Sequence, residues 1–356
     1  MRVAFRVDVS RQIGMGHFVR CLTLADTLKR RGAYTRFICR HLPGTLRRLL
    51  EPGRHDVVLL DAGTAAEPMD ELSHSQFLGT SQRQDAAATL KALTDGSWDW
   101  LVVDHYAIDA RWESMLRKAA EKTVVIDDIA DRMHDCDVLL DQNLYPGMET
   151  RYHGKTPDRC QRLLGPHYAL LREEFKEWRA RVRPRTGPVR RVLVFLGGMD
   201  PHDLTGTTIA ALHGMDSALK VDVVIGTEHP QRVQIERMCA AHSYGCHVQT
   251  SQMAALMAAA DLAVGAGGSA SWERCCVGLA SIVLAFADNQ VHIARALQDA
   301  GACLFLDRQP VTQEQIEDAV TALASDHEHL AAISRNAYTL VDGRGTERVC
   351  AAMGIA

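Results

Sequence analysis

A histidine preceded by two glycines follows the first strand-like segment of the chain, in the sequence SRQIGMGHFVRC that starts at residue 10. Gly14 and Gly16 permit backbone conformations and close approaches that a side chain would block, so we expect them to contact a substrate; the alternative is that they only form a tight turn between strand and helix. The helix that begins there presents free N–H groups, which favour an anion. His17 would lie at the positive end of the helix dipole, which disfavours the protonated imidazole. A neutral imidazole suits general-base chemistry near pH 7, so His17 is the candidate catalytic residue; the alternative is an exposed histidine at a helix end.

This loop does not complete a dinucleotide-binding fingerprint. Such a fingerprint needs a third glycine, where Val19 stands, and an acidic residue after the second strand, where Arg40 and His41 stand. The sequence therefore argues against a nicotinamide cofactor, and we expect no cofactor.

A second glycine-rich segment, GAGGSASWE at residues 265–273, joins a strand-like run to a helix-like one. Its glycines let the backbone approach a diphosphate, its serines offer hydrogen bonds, and the helix that follows supplies a partial positive charge. Glu273 is either a carboxylate that stabilises the helix or an acceptor for ribose hydroxyls. The segment FLGGMD, at residues 195–200, adds another glycine pair. The predicted nucleotide-binding residues are Gly197, Gly198, Gly267, Gly268, Ser269, Ala270, Ser271 and Glu273.

Polar side chains follow several other strand-like runs. Asp104, Asp127 and Asp128 could hold a divalent metal, but aspartate is also common in the turns after strands, and we expect no metal. Amide and phenol groups are better suited to bind a polyhydroxylated ligand, although ordinary loop chemistry is the alternative. The candidate sugar-binding residues are Tyr106, Asn143, Asn289 and Gln290.

The composition of the 356 residues is that of a folded chain with about two domains. It has 47% hydrophobic and 24% charged residues, and the net charge of −4 provides no overall field for nucleic acid or acidic membranes. No apolar stretch approaches the ~20 residues that a membrane helix needs, and the N-terminus lacks a signal-peptide pattern. The ten cysteines contain no CxxC pair, so a reducing cytoplasm is the expected location.

Strand-like and helix-like segments alternate along the chain, which predicts an α/β fold with parallel sheets. We expect a Rossmann-like domain over residues 1–178, a basic linker with two prolines at 179–191, and a second Rossmann-like domain over 192–340 that binds the nucleotide. A C-terminal helix within 341–356 would pack back on the first domain. Because ligands of such sheets bind beyond the carboxyl ends of strands, the two sheets are expected to face each other across a binding cleft.

The chain resembles the UDP-sugar hydrolases of the pseudaminic-acid pathway, which are related to the glycosyltransferase that makes lipid II. Those hydrolases act on UDP-2,4-diacetamido-2,4,6-trideoxy-β-L-altropyranose. The resemblance covers roughly residues 1–300. The segments that carry it come in the same order and are FRVDVSRQIGMGHFVRC, LVVDHYAID, VIDDIADRMHDCDVLLDQN, YALLREEF, LGGMD, and GAGGSASWE with DNQ.

The resemblance implies a two-domain GT-B fold without a metal, in which His17 is the base and Glu273 binds the ribose of UDP. Water would attack the anomeric carbon with inversion, and UDP would leave without protonation because it is already a stable anion. Two alternatives remain: a GT-B glycosyltransferase of surface polysaccharide synthesis, with His17 acting on an acceptor hydroxyl, and a non-catalytic module that binds sugar nucleotides. We expect a small-molecule partner, no nucleic acid, no integral membrane segment, and a monomer or weak oligomer.

Overall fold

The computed structural model describes residues 1–10, 13–50, 53–61, 70–215, 218–285, 288–307 and 310–355. They form two compact units. Unit 1 comprises Met1–Asn143, Gly147–Leu170 and Gly345–Ala356. Unit 2 comprises Leu144–Pro146 and Leu171–Arg344.

Unit 1 contains a seven-stranded parallel sheet with the order β3-β2-β1-β4-β5-β6-β7. Alternate residues of the first strand enter two different cores, Val3 and Phe5 on one face and Ala4 on the other. A strand buried on both faces explains why the sequence reads as an almost continuous apolar run. The strands are β1 (Arg2–Val7), β2 (Tyr34–Cys39), β3 (Asp56–Leu59), β4 (Trp98–Asp104), β5 (Ala120–Ile126), β6 (Val138–Asp141) and β7 (Gln161–Leu164).

Unit 2 contains a six-stranded parallel sheet with the order β10-β9-β8-β11-β12-β13. Its core also uses alternate strand residues, for example Val192 and Val194 with Leu262 and Val264. The strands are β8 (Arg191–Phe195), β9 (Lys220–Ile225), β10 (Gly245–Val248), β11 (Leu262–Ala266), β12 (Ala280–Leu284) and β13 (Leu304–Leu306). The two parallel sheets confirm the predicted α/β class.

Helices connect the strands of both units. Of those in the described residues, none has the length and apolar character needed to cross a membrane. The helices are α1 (Gly16–Arg30), α2 (Gly44–Leu50), α3 (Gln82–Lys91), α4 (Ala110–Leu116), α5 (Glu173–Arg181), α6 (Leu204–His213), α7 (Arg232–Ala241), α8 (Met253–Ala259), α9 (Ala270–Cys276), α10 (Asp288–Asp299), α11 (Gln313–Ser325), α12 (His327–Leu340) and α13 (Gly345–Ala352).

The strand order reverses once in each sheet. In unit 1 the second and third strands lie on one side of β1 and the later strands on the other, so the reversal falls between β1 and β4. In unit 2 it falls between β8 and β11. Loops that leave the carboxyl ends of these strand pairs diverge, and ligands of open α/β sheets bind there.

The boundary between the units differs from the predicted one. The chain passes from unit 1 to unit 2 after Leu170, so α5 belongs to unit 2. The predicted linker is partly helical, and its Arg185 donates hydrogen bonds to the carbonyl oxygens of Met257, Ala258 and Ala260 at the end of α8. These carbonyls lack helical partners, and a cation there satisfies them. Burial lowers the pKa of Arg185 to about 10.

The C-terminal helix α13 belongs to unit 1. Val349 and Cys350 are completely buried in the core that also holds β1 and α1. Gly345, at its first position, lies against the backbone of Ala169, where a Cβ atom would collide. This segment therefore completes the core of the N-terminal sheet.

Candidate active site

The reversal point of the first sheet brings a histidine and an aspartate together. Asp104 is the last residue of β4 and pairs in register with Val7, the last residue of β1. The loop after β1 leads into α1, whose first turn carries His17. As a result, His17 Nδ1 lies 2.5 Å from Asp104 Oδ1.

The protonation of this pair follows from the charges around it. Burial opposes ionisation of Asp104, but the charges of Arg20 and His17 outweigh it and hold the pKa of Asp104 well below its usual range. Arg20 donates from Nε to Oδ2 at 2.6 Å and from Nη2 to Oδ1 at 2.7 Å. Because an ionised carboxylate only accepts, Nδ1–H of His17 must be the donor. A neutral His17 then carries its basic lone pair on Nε2.

His17 is therefore not the exposed helix-end histidine of the alternative interpretation, since only 7% of its surface is accessible. The sequence around His17 indicates only the helix dipole. The structure adds a buried carboxylate that stabilises the imidazolium formed when Nε2 takes a proton.

Tyr106 contributes to the same cluster in a way the sequence did not indicate. Its hydroxyl donates to Asp128 Oδ1 at 2.6 Å, and Arg20 Nη1 donates to Asp128 Oδ2 at 2.9 Å. The Tyr106 ring packs edge-on against the His17 imidazole, with centroids 4.6 Å apart. Burial and the charge of Asp128 raise the pKa of Tyr106. Because Asp128 accepts the hydroxyl proton, the Tyr106 oxygen can contact a sugar only as an acceptor, and this contact stays a prediction.

The glycines before His17 have separable roles. Gly14 has φ +80° and donates its N–H to Ser10 O at 2.9 Å, so a residue with a side chain would be strained there. Gly16 is the first residue of α1, after Met15 at the N-cap. Met15 has no side-chain oxygen and does not cap the first N–H groups of this helix. Arg11 and Gln12 lie outside the described residues.

The other polar strand ends of unit 1 do not meet His17. Asn143 follows β6, which β5 separates from β4, and it is buried with its N–H donating to Asp141 Oδ1 at 3.0 Å. The structure does not bring Asn143 to His17, and its contact with a sugar stays a prediction. Asp127 forms an ion pair with Arg132 at 2.9 Å. Across the described residues, no group of three or more His, Cys, Asp or Glu side chains is arranged to hold a metal ion.

The predicted nucleotide loops of unit 2 meet at the second reversal point. The segment with Gly197 and Gly198 follows β8, and the segment that begins at Gly267 follows the adjacent β11. Gly197 has φ +94°, which explains the glycine. Gly198 packs so closely on Gly226, at the end of β9, that a Cβ atom on Gly226 would collide with its backbone.

Within the second loop, each residue has a different role. A Cβ atom on Gly267 would lie 2.9 Å from the carbonyl oxygen of Gln290, so this glycine allows α10 to approach. Space around Gly268 is open, and Ser269 is exposed. No backbone carbonyl oxygen within the described part of the chain receives the N–H groups of Gly268, Ser269 or Ala270. These three groups are the anion-binding candidates of the loop.

Ser271 is not available for the predicted hydrogen bonds to a diphosphate. Its N–H donates to Gly268 O at 2.9 Å, and its buried hydroxyl donates to Ala266 O at 3.4 Å. Arg274 Nη2 donates to the Ser271 hydroxyl oxygen at 2.9 Å and to Ala266 O at 2.9 Å. Ser271 and Arg274 therefore hold the loop in shape.

Glu273 lies in α9 and points to a cation from another segment. Arg172 Nη2 donates to Glu273 Oε1 at 3.3 Å, and the Glu273 side chain is 15% exposed. Burial raises the pKa of Glu273, although the charge of Arg172 opposes this. The carboxylate is thus directed at Arg172, which does not match the helix-stabilising interpretation.

The amides predicted to contact a sugar lie in the first turn of α10. Gln290 is half-buried, and its carbonyl oxygen is the group that approaches Gly267. The side chain of Asn289 lies outside the described part of the structure. Both residues stay predictions.

Sequence reasoning missed three of the side chains that complete these sites, namely Arg20, Asp128 and Arg172. A signal existed for Arg20, because residues three apart on a helix share a face with each other. For Asp128 the sequence indicates a metal ligand or a residue of the turn after a strand, and not a partner of Arg20 and Tyr106. Arg172 lies in the segment YALLREEF, which carried no chemical interpretation.

Comparison with known proteins supports a relation to enzymes of nucleotide sugars. Residues 203–347 match the glycosyltransferase family 28 C-terminal domain. Over 99% of its length the chain is 24% identical to the spore coat polysaccharide biosynthesis protein SpsG of Bacillus subtilis, and the match covers 97% of that protein. Over 49% of its length it is 28% identical to the UDP-2,4-diacetamido-2,4,6-trideoxy-β-L-altropyranose hydrolase of Campylobacter jejuni, and this match covers 53% of the hydrolase.

Solved structures share the fold over almost the whole chain. MurG of Acinetobacter baumannii has a TM-score of 0.66 at 14% identity, with 99% of both chains covered. UGT2 of Phytolacca americana, complexed with UDP-2-fluoro-glucose and pterostilbene, has a TM-score of 0.68 at 12% identity, with 99% of this chain and 98% of that chain covered. The chain therefore has a GT-B fold, and its residues 203–347 are similar to the C-terminal domain of family 28 glycosyltransferases.

Proposed function

We propose that this protein hydrolyses a UDP-sugar, with water attacking the anomeric carbon, inversion of configuration, and departure of UDP. The observation that carries this proposal is the 2.5 Å contact between His17 Nδ1 and the buried Asp104 carboxylate. A base oriented in this way accepts a proton from a nucleophilic O–H group. The proposed substrate is UDP-2,4-diacetamido-2,4,6-trideoxy-β-L-altropyranose, by similarity to the Campylobacter hydrolase.

The proton transfer would use the whole cluster around His17. Asp104 fixes the tautomer that leaves Nε2 basic, and it stabilises the imidazolium once water has given up its proton. Arg20 holds both oxygens of Asp104 and so keeps the carboxylate from turning away. Tyr106 limits rotation of the imidazole by packing against its ring. General-base catalysis of this kind contributes about 10²- to 10⁴-fold in rate.

In this proposal the negative charge of the departing UDP must be stabilised, and UDP does not need a proton. The N–H groups of Gly268, Ser269 and Ala270 would donate to the diphosphate, since preorganised backbone donors stabilise developing negative charge. The carboxylates that could have ligated a metal, Asp104 and Asp127, are already paired with arginines. We therefore propose a reaction that is independent of metal and cofactor.

Glu273 is assigned to the ribose of UDP. An ionised carboxylate accepts hydrogen bonds from both the 2′ and the 3′ hydroxyl groups, and such charge-assisted bonds are stronger than neutral ones. Its direction toward Arg172, rather than toward the N-terminus of its own helix, supports this role.

The second candidate function is glycosyl transfer to an acceptor hydroxyl. The match of residues 203–347 to a glycosyltransferase domain and the relation to SpsG over nearly the full length favour it. The same His17–Asp104 pair would then deprotonate the acceptor in place of water.

Incubation with a panel of UDP-sugars in buffer without any acceptor separates the candidates. Release of free UDP and free sugar in equal amounts is expected for the hydrolase. Release of UDP only after addition of a glycosyl acceptor would identify a transferase. Binding of UDP-sugar without turnover under both conditions would contradict both enzyme proposals and leave a binding module.

A further inference from the structure

The segment YALLREEF places a cation beside the proposed ribose acceptor. Arg172 is the N-cap residue of α5, which packs against α8 and α9 within unit 2. This packing brings the guanidinium of Arg172 to the Glu273 carboxylate on α9, with 3.3 Å between Nη2 and Oε1.

Arg172 is itself oriented by two further groups. Its Nη1 lies 2.9 Å from Glu174 Oε1, and its guanidinium stacks over the Phe175 ring at 5.2 Å from the centroid. The motif residues Arg172, Glu174 and Phe175 thus form one local unit that presents a guanidinium to Glu273.

The position of this cation matters because Glu273 is largely buried. Burial raises the pKa of Glu273, and the charge of Arg172 is the largest influence that opposes it. The charged groups around the carboxylate are Arg172 and Glu174 from the start of α5, and Arg274 from its own helix. Without Arg172, desolvation and the negative charge of Glu174 would act together against ionisation.

The protonation state decides how Glu273 could bind a ribose. An ionised carboxylate offers only acceptors, which match two hydroxyl donors, whereas a protonated carboxyl offers one donor and fewer acceptor sites. A loss of charge would also replace charge-assisted hydrogen bonds by weaker neutral ones.

We propose that Arg172 is a positioning residue for nucleotide recognition, which keeps the Glu273 carboxylate ionised and oriented to accept the ribose hydroxyls. This inference rests on the proposed assignment of Glu273 to the ribose. The segment YALLREEF, which takes no part in the His17 cluster, would then have a function in nucleotide binding.

The test compares the affinities of UDP and 2′,3′-dideoxy-UDP between pH 5.5 and 8.5 by titration calorimetry. The ratio of the two affinities reports recognition of the ribose hydroxyls alone, because titration of the diphosphate affects both ligands equally. The proteins are wild type, Arg172→Met, Arg172→Lys and Glu174→Gln. Thermal unfolding of each variant confirms that it is folded under the conditions used.

In wild type the ratio should be about ten or more at pH 7. In Arg172→Met the ratio should fall as the pH decreases, with a midpoint at higher pH than in wild type, and should be about ten-fold below wild type at pH 6.5. Arg172→Lys retains the positive charge and should follow wild type closely. Glu174→Gln removes the competing carboxylate and should leave the ratio high.

Superimposable pH curves for wild type and Arg172→Met would overturn the inference, while the ribose assignment would survive if the ratio stayed high. A ratio near one in wild type at every pH would instead refute the ribose assignment of Glu273, and the role of Arg172 would fall with it. The wild-type curve alone distinguishes these two failures.

Discussion

The two loops at the reversal points of the sheets present different chemical groups, side chains in unit 1 and backbone N–H groups in unit 2. In unit 1 the site consists of ionisable side chains in direct contact, His17, Asp104 and Arg20, all less than 10% exposed. In unit 2 the corresponding loop offers backbone N–H groups around Gly268, with open space beside them. The difference follows from the chemistry proposed for each: a proton acceptor must be oriented and electrostatically tuned, whereas an anion needs donors and room.

The difference extends to the buried arginines. In unit 1 they are matched to carboxylates, as in the contacts of Arg6 with Asp85 at 2.7 Å and of Arg132 with Asp127 at 2.9 Å. In unit 2 the buried Arg274 donates to a carbonyl oxygen and a hydroxyl oxygen of the loop it supports. Loss of a carboxylate should therefore be costly in the first site, whereas the second should depend on backbone shape.

The largest expected effect is that of His17→Leu. We expect turnover to fall by about 10²- to 10⁴-fold, because the general base is removed, while UDP affinity stays within a few-fold. Steady-state rates and calorimetry measure the two quantities. His153→Leu, an exposed histidine of the same unit, is the matched control. Activity above about a tenth of wild type would remove His17 from the mechanism.

Asp104→Asn should have the next largest effect. The amide cannot stabilise an imidazolium or fix its tautomer, so turnover should fall by about 10- to 10³-fold with little change in UDP affinity. Asp158→Asn, at an exposed position of unit 1, provides the control. A folded Asp104→Asn protein with wild-type turnover would mean that the contact with His17 is structural.

A stability measurement at Asp141 tests how far arginines compensate the buried carboxylates of unit 1, because its contact with Arg151, 3.4 Å from Nε to Oδ2, does not outweigh burial. Burial, and then the charge of Asp128, raise its pKa from 3.8 to about 7. Since the folded pKa lies above the unfolded one, the stabilisation is fully present below about pH 4 and is lost as the pH rises to about 7. Asn at this position mimics the protonated carboxyl beside the Tyr152 hydroxyl, 3.1 Å away.

Asp141→Asn should therefore be more stable than wild type at pH 8, by between about 1 and 4 kcal/mol, and nearly equal to it at pH 4. Denaturant unfolding at both pH values measures the difference. A difference that does not change with pH would show that folding does not raise the pKa of Asp141.

The fourth prediction concerns the ligand side of unit 2. Glu273→Ala should weaken UDP binding by roughly ten- to a hundred-fold, since hydrogen bonds to a charged acceptor are lost. The affinity for 2′,3′-dideoxy-UDP should be the same in wild type and variant. If both ligands lost affinity equally in calorimetric titrations, Glu273 would act on the fold of unit 2 and not on the ribose.

The smallest expected effect is that of a chelator. Excess EDTA should leave turnover unchanged. In the proposed reaction, backbone N–H groups stabilise the negative charge of UDP, and arginines hold the candidate carboxylates. A rate that falls with EDTA and recovers with magnesium would reinstate Asp104, Asp127 and Asp128 as metal ligands.

The sequence predicted the loops better than the contacts within them. His17 and Gly14 follow from a glycine-rich turn between strand and helix, which is a local pattern. The Asp104 partner depends on β4 lying next to β1, although His17 and Asp104 are 87 residues apart in the chain. Such a pairing is a property of strand order, which periodicity alone does not give.

The two glycines of the second loop also show what a local sequence pattern leaves open. Gly267 and Gly268 are adjacent and of the same type, and both were predicted to approach a diphosphate. The first is needed because α10 passes close to it, and only the second has open space. A sequence shows that a side chain is absent, but not which neighbour requires its absence.

The linker was misjudged for a related reason. Its arginines and prolines have no apolar periodicity, which is typical of an exposed connection. The carbonyl groups at the end of α8 give Arg185 a defined position, because helix ends need partners for their last carbonyls. These partners lie about 70 residues away in sequence and cannot be found from local composition.

The most direct test of the account is to run the reaction with a UDP-sugar in H₂¹⁸O without any acceptor and to analyse UDP by mass spectrometry. Attack of water, activated by His17, on the anomeric carbon predicts steady release of UDP that contains no ¹⁸O, while the label enters the sugar. Appearance of ¹⁸O in UDP would place the attack at phosphorus. Absence of any UDP release for the whole panel would contradict hydrolysis itself.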